Sequence, residues 1–406
     1  MGFGQGLSGL NAAAQNLDVI GNNIANSGTV GFKSGSATFA DVYANSRVGL
    51  GVQVTGVNQR FTVGNVSTSG NMFDMAIDGE KGFFRLTDAS GAVFYSRNGQ
   101  FIADKDNYIV NAQGQRLTGY PPGAVGMDPQ PLMVPRGNIA PQATDRMTTV
   151  ANLDANADVI DPTATPFDST DPATYTHSLP MSVFDSLGNA HQLTQYFVKI
   201  AGVGTSSQWQ VHYQLDGESL DTPTNGGPQA LSFSQAGSLT TAPNVTLEFN
   251  QPGGTESPAE PLVINLNYGG TTSFGGDFSA SFTQTGYATG EYAGIAIAND
   301  GTLMANYTNG QTRPVGVVTL ASFNNPQGLQ PSGGNAWTES PSSGQAILGQ
   351  PGSNGLATLK GQAIEESNVD MSQELVNMII AQRTYQANAQ TIKTQDQILQ
   401  TLITMR

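Results

Sequence analysis

Apolar side chains at the two ends of the chain recur at helical spacing, and nearly everything between them alternates like strand. From the N-terminus the seam positions are Phe3, Leu7, Leu10, Ala14, Leu17, Gly21 and Ile24, in steps of four and three residues. That rhythm places one narrow stripe on a helix. It stops at Asn26-Ser27-Gly28, where turn-forming residues take over. At the other end Met371, Met378, Tyr385, Ile392 and Leu399 recur every seven residues. A second row, Leu375, Gln382, Ala389, Asp396 and Ile403, is half polar. Asp370 stands where an N-cap belongs, with Gln373 and Glu374 in the turn that follows. No Gly or Pro interrupts 371–406, so a helix of roughly 50 Å is possible at about 1.5 Å per residue.

Between the helices lie short alternating runs divided by turns. Val48, Leu50, Val52 and Val54 alternate with polar or glycine positions, as do Phe73, Met75 and Ile77. Phe94–Arg97 and Gln100–Ile102 flank Asn98-Gly99, which predicts a two-residue hairpin. Ile295 and Ile297 lead into Asn299-Asp300-Gly301, a second hairpin turn, with Val315–Phe323 beyond it. No helical pattern separates these runs, which points to antiparallel sheets and not to a βαβ array. The expected fold is therefore multidomain, α plus all-β. Its N- and C-terminal helices pair as a coiled coil, and two β-rich domains follow, one inserted in the other.

Charge locates the insertion. Residues 147–287 carry thirteen Asp or Glu against the single base Lys199, a net −12 of the −15 on the whole chain. The same stretch holds His177, His191 and His212 and long turns such as Thr222–Pro228. The expected boundaries are residues 1–33 and 364–406 for the terminal helices, 34–72 for an extended linker, 73–146 and 288–363 for the middle β-rich domain, and 147–287 for the acidic insertion.

Composition then removes whole classes of function. A net charge of −15 is the wrong sign for phosphate binding, so no nucleic-acid partner is expected. With no cysteine there is no disulfide framework, thiolate metal site or cysteine nucleophile. No 18-residue apolar run exists, so no membrane insertion is expected. The first basic residue is Lys33, which leaves no basic region for a secretory signal, and Met1-Gly2 with Gly6 misses the myristoylation pattern.

Candidate chemistry is equally thin. Gly4-Gln5-Gly6-Leu7-Ser8-Gly9 matches a dinucleotide fingerprint without the strand that must precede it, and reads as a flexible lead-in to the helix. Asp154, Asn156, Asp158 and Asp161 imitate the start of a calcium loop, but Val159 replaces the glycine and Thr165 the final glutamate. The three histidines are too far apart for a local metal site, and no Gly-x-Ser-x-Gly elbow occurs. No catalytic, cofactor or metal site is expected, and the chain reads as a non-enzyme.

The ends carry the functional signal. Burying about eight seam side chains is worth about 12–24 kcal/mol gross, while ordering some fifty residues costs about 1–2 kcal/mol each. A helix pair alone is marginal, and neighbouring copies packed around it would make it favourable. The alternative is an intramolecular helical hairpin docked on the β domain. The expected assembly seam is Leu7, Leu10, Leu17 and Ile24 with Leu375, Met378, Tyr385, Ile392 and Leu399. Charged residues are only 12% of the chain, against roughly 25% ordinarily, which favours packing between copies.

One run of residues goes further. Asn22-Asn23-Ile24-Ala25-Asn26-Ser27-Gly28-Thr29-Val30-Gly31-Phe32-Lys33, after Leu10-Asn11-Ala12-Ala13-Ala14, closely resembles the signature of bacterial flagellar rod and hook proteins. The motif positions are Asn22, Asn23, Ile24, Ala25, Asn26, Gly31, Phe32 and Lys33. The resemblance extends through Gly82–Leu86, Phe94–Phe101, Ser367–Asp370, Glu374–Ile379 and Ala381–Arg383. Within that family the chain is most similar to the hook members, because 147–287 supplies an insertion that distal-rod members lack, and Val183–His191 resembles its opening. The resemblance implies a flexible tubular homopolymer outside the cell, joining rod to filament and transmitting torque. It implies export by the flagellar type III system, terminal helices lining the tube, and outer β domains. Implied partners are other copies of the chain and the rod, hook-cap and hook–filament junction proteins. The competing readings are another axial subunit, such as a distal-rod protein, or a secreted β-rich binding protein.

Overall fold

The computed structural model describes residues 3–42, 49–124, 126–202, 206–255 and 257–404. Two helices and many short strands in several sheets make a mostly β, multidomain chain. It divides into two compact units. The first comprises Met1–Arg136, Ala293–Asn306 and Thr312–Arg406, and the second Gly137–Tyr292 and Tyr307–Gln311.

In the first unit, helix α1 spans Phe3–Ala25 and helix α2 spans Met371–Thr404. α1 ends at the expected turn, where Asn26 Nδ2 donates to the Asn22 carbonyl at 3.0 Å and Ser27 Oγ to that of Ile24 at 2.9 Å. α2 starts at the expected cap: Asp370 Oδ1 accepts the amides of Ser372 and Gln373 at 2.9 and 3.2 Å. The helices run antiparallel. Gly6 lies against Ile392 and Gly9 against Asn388, while Asn16 and Asn23 share a pocket with Glu374 and Asn377. Small residues set that approach. A Cβ on Gly6 would come within 3.1 Å of Ile392, and one on Gly9 within 2.8 Å of Asn388. The glycine-rich start, expected as a flexible lead-in, is thus inside the helix and in contact with α2. Absence of a side chain there serves close backbone approach, which outweighs glycine's low helix propensity.

Residues 34–72, expected as an extended linker, instead hold an antiparallel hairpin: β1 (Gly35–Val42) pairs with β2 (Gly51–Gln59). Of the alternation read there, Val52 and Val54 belong to β2, Leu50 lies just before it, and Val48 lies outside the described residues. The hairpin is held to α1 at both ends. Asn23 exchanges two 2.8 Å hydrogen bonds with the backbone of Gly35, and Ser8 Oγ accepts the Val52 amide at 3.3 Å. No residue of its two strands is fully buried, so these hydrogen bonds to α1 and the pairing of the strands are what order it.

The β body of this unit centres on Phe83–Thr87, which pairs with Val93–Ser96, Arg116–Tyr120 and Leu320–Ser322. Its core packs Phe83, Tyr95, Phe323 and Trp337 with edge-on aromatic contacts, Tyr95 to Phe323 at 4.8 Å and Phe83 to Trp337 at 5.9 Å. Asn98-Gly99 is not the hairpin expected. Val93–Ser96 pairs with Phe83–Thr87 on one side and Ala336–Thr338 on the other, and Ile102–Ala103 pairs elsewhere. Asn98 Oδ1 accepts the Gln100 amide at 3.0 Å in a local Asx turn. Gly99 lies so close to the Met75 carbonyl that a Cβ would fall 1.6 Å from its oxygen. The turn Asn299-Asp300-Gly301 does close a hairpin, but its second strand is Thr302–Tyr307.

The second unit packs two sheets. One orders His177–Phe184, Ala190–Ile200, Ser207–Leu215 and Glu218–Ser219, with Gln229–Phe233 also on Ser207–Leu215. The other orders Asn244–Phe249, Leu262–Asn267, Arg146–Asn152 and Ser279–Gln284. Their inner faces share one core that includes Phe197, Trp209, Val211, Leu247, Ile264 and Leu266. A polar chain is buried with it: Tyr213 and Tyr268 hydroxyls meet at 2.9 Å, Tyr268 donates to Gln195 Oε1 at 3.1 Å, and Gln195 Nε2 to Thr149 at 3.3 Å.

Candidate functional site

The first unit is tied together where three distant segments meet on charges. Lys33, Arg97 and Glu365 all have side chains with no solvent exposure. Glu365 Oε1 accepts Lys33 Nζ at 2.5 Å and the Gly64 amide at 2.9 Å, and Oε2 faces Arg97 Nη1 at 3.4 Å. Lys33 also donates to the Thr62 carbonyl at 2.7 Å, and Arg97 to the carbonyls of Gly79 (3.0 Å) and Glu80. Burial lowers the pKa of both cations, and the Glu365 carboxylate opposes that.

The motif 22–33 is the N-terminal arm of this hub. Asn22 is exposed and caps back toward Asn26, Asn23 is buried against Gly35, and Ile24 is half-buried beside an exposed Ala25. Gly31 has φ +71°, and a Cβ there would lie 2.5 Å from the Asn98 amide. Its own amide donates to the Glu365 carbonyl at 2.7 Å, Phe32 is half-buried, and Lys33 enters the triad. Asn368 completes the joint, accepting the Ser34 amide and donating to the Arg60 carbonyl, each at 2.7 Å. Glu365, 332 residues from Lys33, carried no signal of its own in the sequence. Lys33 closes the motif 22–33, and Arg97 lies in a run that the resemblance covers.

The seam residues lie apart from the hub. Leu7 (45% exposed), Leu375 (47%), Tyr385 and Leu399 are exposed, and Leu10, Leu17, Ile24, Met378 and Ile392 are half-buried. Buried instead are Gly6, Ala12, Ala13, Ile20 and Asn23 of α1 and Glu374 and Ala381 of α2. The single chain thus covers the small-residue face together with Ile20, with Ile392 of the seam packed against Gly6, and leaves Leu7, Leu375, Tyr385 and Leu399 outward. Val376, Ile379 and Ile380 on α2 and Phe39 and Val57 on the hairpin extend that outward surface. Polar groups between them are already satisfied: Thr384, Thr391, Thr394 and Thr401 donate to carbonyls four residues back at 2.8–2.9 Å.

The three histidines of the second unit are engaged in ring stacking and ion pairs. His177 stacks on Phe278 at 4.4 Å, and burial lowers its pKa. His191 bridges Asp216 (2.5 Å) and Asp185 (3.3 Å), and His212 meets Asp221 at 2.6 Å. Those carboxylates also accept turn amides, Asp185 from Leu187 and Asn189 at 2.9 and 2.8 Å. Asp154 Oδ1 accepts the Asn156 amide at 2.8 Å. Among the described residues no group of three or more His, Asp or Glu could hold a metal ion, and no helix is long and apolar enough to cross a membrane.

Comparison with known proteins places these features. The chain matches the family models for the flagella basal body rod protein (residues 5–33), the flagellar hook protein FlgE/F/G D1 domain (76–152), the flagellar basal body protein FlaE D2 domain (152–287) and the flagellar basal body rod FlgEFG protein C-terminal region (360–405). It is 45% identical to the flagellar hook protein FlgE of Escherichia coli over the whole of both chains, and 44% identical to that of Salmonella typhimurium, again over both in full. The hook protein of Borreliella burgdorferi is 31% identical, over 99% of this chain and 98% of its own. Among solved structures, the Helicobacter pylori flagellar hook protein FlgE2 shares the fold, with a TM-score of 0.55 over 74% of this chain and all of that one, at 14% identity.

Proposed function

The chain belongs to the flagellar hook protein family, and from that premise we propose that it is the structural subunit of a flagellar hook, polymerising outside the cell through its terminal helices. The observation that carries this is the outward apolar face of α1, α2 and the hairpin, built almost without charge on a frame locked by the Lys33–Glu365–Arg97 triad. Uncharged residues and internally bonded threonines lose little on leaving water, whereas unpaired charges would lose much.

The single chain pairs α1 with α2 through glycine and alanine, and the seam of Leu7, Leu10, Leu17, Ile24, Leu375, Met378, Tyr385, Ile392 and Leu399 is then the surface offered to neighbouring copies in a coiled-coil manner. The terminal helices would form the inner tube, and residues 147–287 an inserted, acidic outer domain. The buried hub would pass torque from helices to β body without slack, because three segments share one desolvated ion network. Rod, hook-cap and hook–filament junction proteins remain the expected partners at the ends of the tube. The relatives are structural proteins, and the role proposed is structural, without catalysis.

The test is polymerisation. Full-length protein should form tubes under salting-out conditions, seen by electron microscopy, and chain lacking residues 371–406 should remain monomeric. Full-length protein that stays monomeric at all salt concentrations, or truncated protein that still forms tubes, would overturn the reading.

A further inference from the structure

The two helices end unevenly. Gly6 faces Ile392 and Gly9 faces Asn388, so α1 begins level with about residue 395 of its antiparallel partner. α2 continues to Thr404, which leaves roughly eight residues, about 12 Å, reaching past the start of α1. This overhang has Asp396 at its base and no charged residue from Gln397 to Thr404, and it exposes Ile398, Leu399 and Ile403 at 54%, 51% and 75%. Elsewhere on the same frame a groove of about 460 Å³ opens between Ala12 and Ala13 of α1, Phe39 and Val52 of the hairpin, and Ile380 of α2. Its lining has no charged residue either; the polar part is Gln, Asn and Thr.

We propose that the α2 overhang of one copy seats in the groove of a second copy. This rests on the homopolymer reading above and adds the contact that propagates it. Chemistry matches on both sides, aliphatic side chains framed by uncharged polar ones, so the stretch 397–404 can seat without stripping an ion of water. Self-occupancy is excluded by geometry. The groove is walled by α2 itself near Ile380, and a continuous helix cannot turn its end back onto a point some eighteen residues earlier. The occupant must come from another chain, and donor and acceptor surfaces differ. The contact is therefore heterologous, and each seated copy leaves one free overhang and one free groove, which yields an open polymer and not a closed dimer.

Two full-length variants separate donor from acceptor. The donor variant carries Ile398→Asp and Leu399→Asp, and the acceptor variant Phe39→Glu and Ile380→Glu. All four side chains are about half exposed or more in the single chain, so thermal unfolding of both variants should match wild type. Each alone should sediment as a monomer under conditions where wild type forms tubes. Mixed in equal amounts they should give 1:1 dimers and nothing larger, because only one intact overhang and one intact groove can meet. A second measurement uses the absence of native cysteine. Polymer of a Phe39→Cys, Leu399→Cys double variant should oxidise to a ladder of crosslinked copies, and either single variant should not. Wild type that forms tubes while the donor variant also forms tubes, or tubes of the cysteine pair that give no ladder, would overturn the seating and leave the hook reading standing. Discrete dimers of the acceptor variant alone would show overhangs pairing with each other and would overturn it as well. Wild type that never polymerises would overturn the hook reading itself.

Discussion

Glu365→Gln should destabilise the first unit and leave the second untouched. The substitution keeps the size of the side chain and removes the one anion facing two cations of zero exposure. Amide oxygen can still accept from Gly64, but Lys33 is left without a carboxylate and Arg97 with only the weaker attraction of Glu80. Breaking a buried pair this way costs about 3–5 kcal/mol. A unit of roughly 250 residues loses about 2–4 °C of Tm per kcal/mol, so its transition should fall by about 6–20 °C. Calorimetry is the assay, because it can resolve two units: the transition belonging to Gly137–Tyr292 should stay where it is. Lys33→Met supplies the sharper comparison. The triad holds two cations to one carboxylate, so removing Lys33 leaves a balanced Arg97–Glu365 pair, and the Thr62 carbonyl keeps its 3.3 Å hydrogen bond from Asn368 Nδ2; the loss is that of one charge-assisted bond, about 1.5–3 kcal/mol. The order of damage should be Glu365→Gln above Lys33→Met. Molar salt should change neither, since buried pairs are screened weakly. A fall below about 2 °C for Glu365→Gln, or the reverse order, would refute the picture of one carboxylate neutralising two buried cations.

Three further outcomes follow from individual residues. Gly31→Ala should cost about 1–3 kcal/mol or more, from its φ of +71° and the 2.5 Å clash with Asn98, whereas Gly21→Ala, in open space on α1, should stabilise by about 0.5–1 kcal/mol; urea midpoints read both. Asp370→Ala should weaken the first turn of α2 by about 1 kcal/mol, visible as faster amide exchange at Ser372 and Gln373. Tyr95, pushed up to about 12 by burial and the Glu339 charge, and Tyr213 and Tyr268, raised further by burial, keep their protons when the unfolded chain has lost them. Their stabilising effect is complete below pH about 10 and declines as pH rises through the folded-state values, so urea midpoints should drop above pH 10, with the phenolate absorbance of these three rings, read as the loss on Tyr→Phe replacement, appearing only as the chain unfolds.

The sequence by itself determined the features that depend on near neighbours. Both helices were legible because 3.6-residue periodicity and a cap such as Asp370 are encoded within one or two turns. Scarcity of charge, absence of cysteine and the acidity of 147–287 are likewise properties of composition. Which face each helix buries was not legible. The apolar stripe dominated the pattern, yet glycine and alanine form the contact within the chain, because close backbone approach rewards missing atoms that a hydrophobicity pattern does not register. Asn98-Gly99 has hairpin chemistry, but Val93–Ser96 gains more by pairing with Phe83–Thr87 and Ala336–Thr338, so tertiary pairing overrode the local turn. Residues 35–59 pair as a hairpin tied to α1 through Asn23 and Ser8, contacts that no local pattern announces. The hub is the clearest case. Lys33, Arg97 and Glu365 are separated by up to 332 residues, and no local rule says which carboxylate will be drawn from water to meet which cation. Burying an ion costs more than any local preference repays unless its partner arrives with it, and only the folded chain decides that arrival.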